Sequence, residues 1–193
     1  MDVCRELTDQ LNWHWENHAR PRLNGLTDEE YFWEPVPGCW SVRPRGTGTA
    51  PLQVGRGDYT IDFALPEPVP APVTTIAWRI GHMLVGVLGE RLASHFGGEP
   101  VTYRDFVYPE SAEQALEKLD AAYSSWHSAV SALSLEEMDR PVGPAEGPFA
   151  EAPMGALVQH INREMIHHLA EVALLRDLWA HRAADGLTGA VQS

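Results

Sequence analysis

The chain has 193 residues, 44% of them hydrophobic, which is enough for one globular domain with a sizeable core and too few for two of ordinary size. Its 27 acidic residues against 14 Lys plus Arg leave a formal net charge of −13, which speaks against nucleic acid, since gripping a phosphate backbone takes a basic patch. There is no run of about 18 apolar residues to cross a bilayer, no export signal in Met1 to Leu7 and no disulfide framework in two cysteines, so the expectation is a cytoplasmic protein with no membrane partner.

Val3, Leu7, Leu11, Trp15 and then Leu23 recur at helical spacing and predict an amphipathic helix from about Val3 to Arg20, stopped or kinked by Pro21. Thr27-Asp28-Glu29-Glu30 has the form of a capping box, with Glu30 reaching back, and predicts a short helix before Pro35. From Pro35 to Pro72 the chain is rich in proline and glycine, with one strand expected at Tyr59 to Phe63. A connection this long in a small domain reads as a lid or an ordered wall, here anchored by Trp40 and Phe63 and placed to cap a pocket. Cys39 lies beside Trp40 in this segment. A reactive thiol is conceivable there, but no base flanks it and free cysteines mostly fill apolar space.

A long helix is predicted from about Val73 to Phe96, apolar around much of its circumference and ended by Gly97-Gly98. Ser111-Ala112-Glu113-Gln114 opens another, running to about Leu133, and Ser134-Leu135-Glu136-Glu137 opens a short turn. A Pro/Gly loop from Pro141 to Pro153 leads to the last long helix, Met154 to Arg182, followed by a frayed tail over Ala183 to Ser193. Four long helices without a convincing set of strands make an all-α four-helix bundle the economical architecture, a single domain over 1–193 with a long irregular insertion between helices 1 and 2.

The chemistry concentrates in the last helix. His160, Glu164, His167 and His168 crowd into nine residues of a chain with nine histidines in all. Glu164 and His168, four apart, share one helix face and can reach a common point. Bundles build metal sites from facing helices, which sets His82 opposite that pair and gives a two-histidine, one-carboxylate set with a coordination position left open. On spacing alone the alternative remains that these are polar groups satisfied at a core edge. Gly81, just before His82, would allow a close backbone approach. His160 shares the ligand face and is a candidate proton carrier. His167 is turned away from it, and Glu171 is placed to orient His168 by accepting its other N–H.

Leu11-Asn12-Trp13-His14-Trp15, Pro37-Gly38-Cys39-Trp40-Ser41-Val42-Arg43, Trp78-Arg79-Ile80-Gly81-His82 and Leu174-Leu175-Arg176-Asp177-Leu178 together make the chain resemble the DinB-like superfamily, particularly its actinobacterial branch, which includes mycothiol-dependent maleylpyruvate isomerase. The resemblance covers nearly the whole chain and implies an up-down-down-up bundle holding a divalent metal through His82, Glu164 and His168. Many members carry histidine where Glu164 stands. It further implies zinc, with nickel, iron or manganese as alternatives, and mycothiol or a similar small thiol passed to an electrophile. The chain lacks that isomerase's second domain, so the isomerisation itself is not expected. A metal-dependent hydrolase and a non-catalytic metal-holding bundle are the competing readings, and seven tryptophans leave room for a homodimer.

Overall fold

Four helices of this protein begin where a hydroxyl accepts the first free amides. In the computed structural model, which describes residues 3–182, Thr27 accepts from Glu30 N, Thr75 from Trp78 N, Ser111 from Gln114 N and Ser134 from Glu137 N. They open α3 (Asp28–Tyr31), α4 (Ile76–His82), α6 (Ala112–Ser131) and α7 (Leu135–Asp139). Only Ser134 closes the reciprocal box, its own N–H donating to Glu137 at 2.8 Å. Replacing Ser134 by alanine is expected to lower the unfolding free energy by about 1 kcal/mol, read as a shift of the urea midpoint at unchanged slope.

Four long helical rods carry the core. The first is α1 (Val3–His14), a π-helical turn (Trp15–Ala19) and α2 (Arg20–Arg22). Pro21 therefore does not end the rod at Arg20, because the wider turn before it absorbs the missing N–H. The second rod is α4, a π-helical turn (Met83–Gly89) and α5 (Glu90–Phe96), closed by Gly97 at φ 71°. The third is α6, and the fourth is α8 (Met154–His181). Asn162 Nδ2 donates to Leu7 O while Arg22 reaches Ala173 O and Asp177, so the first and last rods run parallel. Trp126, Ile80, Met83, Leu119, Ile161 and Met165 are fully buried between them. The tail expected over Ala183 to Ser193 lies outside the described residues.

The all-helical expectation is corrected by the segment after α3. It folds into a three-stranded antiparallel sheet, β1 (Val42–Pro44), β2 (Leu52–Val54) and β3 (Tyr59–Phe63), in the order β1-β3-β2. Only β3 is long enough to show in the sequence; the other two have three residues each, too few to display alternation. Val42 pairs with Ile61 across the sheet, and both are buried. Trp78 of α4 donates its indole N–H to Asp62 O at 2.9 Å, fastening the sheet to the second rod. The buried Asp62 carboxylate accepts from Ser41 N at 3.0 Å and Arg43 Nε at 2.9 Å, and Arg43 continues to Glu34 and to Cys39 O. Cys39 itself is buried, donates to Val36 O and has its thiol pKa pushed up by burial, which makes it an inert filler.

Glu30 departs from its sequence reading. Its carboxylate does not turn back to Thr27 but is buried against Arg176 of α8, at 2.7 and 3.1 Å. A second two-point pair, Arg20 with Asp120 at 2.6 and 2.9 Å, ties the first rod to the third.

Candidate metal centre

The second and fourth rods bring His82 and His168 together. His82 is the last residue of α4, and its ring centroid lies 4.8 Å from that of His168, the two planes at 89°. Trp78, one turn earlier, stacks on His82 at 5.3 Å and 20°. On the far side, His82 Nδ1 is 2.5 Å from the Tyr103 hydroxyl. His168 Nδ1 is 2.8 Å from Glu171 Oε2, the orienting contact that the sequence predicts.

The other nitrogen of His168 is the informative atom. Nε2 is buried and has no hydrogen-bond partner, with Glu164 Oε2 at 3.6 Å. An orphaned buried nitrogen carries the full cost of its lost hydration. Burial pushes His82 down to about 3, with His168, Arg79 and Arg91 adding to the effect. Burial also lowers His168, against the opposing pull of its bond to Glu171. Both imidazoles are neutral at neutral pH and hold a lone pair without having to lose a proton. Two neutral nitrogens, one of them unpartnered, beside a carboxylate fit a divalent cation in both charge and donor type.

A second grouping overlaps this one. His167, His168 and Glu171 each offer a ligand atom, all within 4.8 Å of one another, so this His/His/Glu group can hold a metal ion. Against it, the 2.8 Å contact from His168 Nδ1 to Glu171 is an ordinary hydrogen bond, the Arg79 guanidinium sits 3.1 Å from Glu171 Oε1, and the His167 side chain is 63% exposed. A guanidinium on the carboxylate repels a cation arriving there.

Glu164 also faces His160, whose Nδ1 is 3.5 Å from Oε1. Arg163 lies 2.8 Å from the same Nδ1, and since a guanidinium only donates, that nitrogen accepts and the His160 N–H is on Nε2. His160 and Arg163 line a cavity of about 600 Å³ shared with Arg91, Glu146, Phe149 and Leu157. Glu146 is held there by His95 at 2.9 Å and Arg91 at 3.2 Å. The cavity's roof is thus the 141–153 loop. No residue of the 43–72 insertion lines this cavity, and neither do His82, Glu164 or His168. The insertion is a wall behind His82, reaching it through Trp78 and through Phe63, whose ring lies 4.9 Å from Tyr103.

Sequence reasoning missed Tyr103, Trp78 and Arg79 as neighbours of the centre. Tyr103 lies in an irregular connector with no periodicity to aim it. The pattern Trp78, Arg79, His82 does hold the i+3 and i+4 spacing that would have found the other two. Gly81 does permit a close approach, but of Ile61 and Tyr108 to the helix, where an added Cβ would come within 3.2 and 3.3 Å.

The family model for the DinB superfamily matches residues 10–172, a span that holds His82, Glu164 and His168. No curated protein and no solved structure matches the chain. With that span running from the first rod into the last and taking in most of the sequence, this chain belongs to the DinB superfamily.

Proposed function

We propose that the chain is a divalent-metal enzyme of the thiol-transferase kind, with His82, Glu164 and His168 as the metal ligands and mycothiol or a similar low-molecular-weight thiol as cosubstrate. The observation that carries this reading is the buried, unpartnered Nε2 of His168, 3.6 Å from Glu164 Oε2, on a ring whose centroid lies 4.8 Å from that of His82. Zinc suits the donor set, as do nickel, iron and manganese. A cation bound there would supply Lewis acidity sufficient to hold a thiol as its thiolate at neutral pH.

The protein's own groups do the rest. Glu171 and Tyr103 orient the two imidazoles, and Glu164 lowers the charge of the site by one. His160, its N–H fixed on Nε2 by Arg163, stands beside the cavity as the group to move a proton at the electrophile. The cavity's apolar lining from Phe149 and Leu157 suits a small organic electrophile. The parallel first and last rods support the up-down-down-up bundle of this reading. Exposed Trp13, Ile166, Leu174 and Leu178 support a second copy of the chain as partner.

Metal analysis of protein purified without a histidine tag tests the first half, with about one ion per chain expected. A transfer assay with mycothiol and a generic alkylating electrophile tests the second. Metal-dependent loss of thiol is expected. One ion per chain without thiol transfer would leave a metal-holding bundle, and ester hydrolysis without thiol would point to a hydrolase.

A further inference from the structure

We propose that Tyr103 is a positioning residue for His82: its hydroxyl oxygen accepts the Nδ1–H of the imidazole and so leaves the ring's lone pair on Nε2. The inference rests on the metal-centre reading for its purpose, and on geometry alone for its substance. The Tyr103 hydroxyl is 2.5 Å from Nδ1, and among the described residues this is the hydrogen bond that His82 makes. A neutral imidazole has one N–H. Placed on Nδ1 it meets the phenol oxygen, whereas Nε2 makes no hydrogen bond among the described residues. A metal-ligating histidine keeps the lone pair on its ligating nitrogen by donating from the other.

The hydroxyl is held in place from three directions. The Tyr103 ring packs edge-on against Phe63 of β3 at 4.9 Å and lies nearly parallel to the His82 ring, at 16°. Tyr108 donates its hydroxyl to Tyr103 O at 3.2 Å, and Arg56 N donates to Phe106 O at 2.8 Å, which pins the connector to the sheet. The third direction is the second rod itself. Gly86 stands in the π-helical turn after His82, and a Cβ there would overlap the Tyr103 hydroxyl. Only glycine leaves the hydroxyl its seat. Burial raises the phenol far above its ordinary pKa, so Tyr103 meets the imidazole as a neutral group.

The decisive measurement uses the metal-free protein labelled with 15N in histidine. Long-range 1H–15N correlations distinguish the two neutral tautomers, and the His82 signal is identified by its loss in His82→Asn. The expected form in the wild type carries the proton on Nδ1. Tyr103→Phe keeps the ring and removes the acceptor; it is expected to give a mixture of tautomers and a 10- to 100-fold weaker zinc affinity by chelator competition. Gly86→Ala should reproduce both changes by displacing the hydroxyl. If Gly86→Ala does not fold, Tyr103→Phe decides alone. A wild-type His82 protonated on Nε2, or a Tyr103→Phe protein with unchanged tautomer and zinc affinity, would overturn the assignment. Failure of the wild type to bind zinc would sink the metal-centre reading, while the tautomer comparison would still judge Tyr103.

Discussion

Replacing His168 by alanine is expected to weaken divalent-metal binding by at least about 100-fold while leaving the helical content of the protein unchanged. The side chain is one of two imidazoles in the set, and the remaining His82 and Glu164 sit on separate rods with nothing to replace the lost nitrogen. The fold does not depend on it. The apolar residues Ile161, Met165, Leu169 and Val172 bury α8 without help from His168. In the metal-free state two effects oppose each other: a small cavity opens, and an orphaned polar atom disappears. A ligand present at 100 times its dissociation constant stabilises the native state by about 2.7 kcal/mol. Saturating zinc should therefore raise the melting temperature of the wild type and not of His168→Ala. His82→Ala and His167→Ala separate the two ligand groupings. Loss of metal in the first and retention in the second is expected, and the reverse pattern would move the site to His167, His168 and Glu171.

Glu30→Ala should cost about 3–5 kcal/mol of folding free energy. The Glu30 side chain is 4% exposed and that of Arg176 18%, so the deletion strands a guanidinium that has little water to turn to. Arg176 also donates to Arg22 O and Asn24 O, holding the chain after α2 against α8. The measurement is the urea midpoint of Glu30→Ala beside Glu30→Leu/Arg176→Met. Removing both charges should recover most of the loss, because the penalty comes from the unpaired partner and not from a large net gain of the pair. A double variant no more stable than Glu30→Ala would show that the pair itself, with its links to Arg22 and Asn24, holds α2 to α8.

Helix ends were legible where they carry local chemistry. Thr27, Ser111 and Ser134 each accept the amide three residues on, and Gly97 takes the left-handed turn that closes the second rod. Thr75 went unread, so the second rod was started at Val73 instead of Ile76. The strands β1 and β2 were not legible, since three residues hold no period and their pairing depends on partners far along the chain. Glu30 was misread for the same reason. A capping box is a local pattern, and it cannot register an arginine 146 positions away that offers a stronger bond. At the centre, spacing puts Glu164 and His168 on one face, and His82 is placed opposite them because bundles build metal sites from facing helices. Tyr103 escaped, because what aims it is the sheet behind it and a gap at Gly86.

The π-helical turn from Met83 to Gly89 sets the phase of the second rod. His82 precedes it and looks toward α8, whereas Arg91 and His95 follow it and grip Glu146 in the 141–153 loop. Each residue of a regular helix advances the side chains by about 100°. Winding residues 83–89 as regular α-helix without removing a residue would swing everything beyond them round by about that angle. The chain could then keep its histidine aimed inward or its loop clamped shut, but not both, so the wider turn aligns two functions on a single stem.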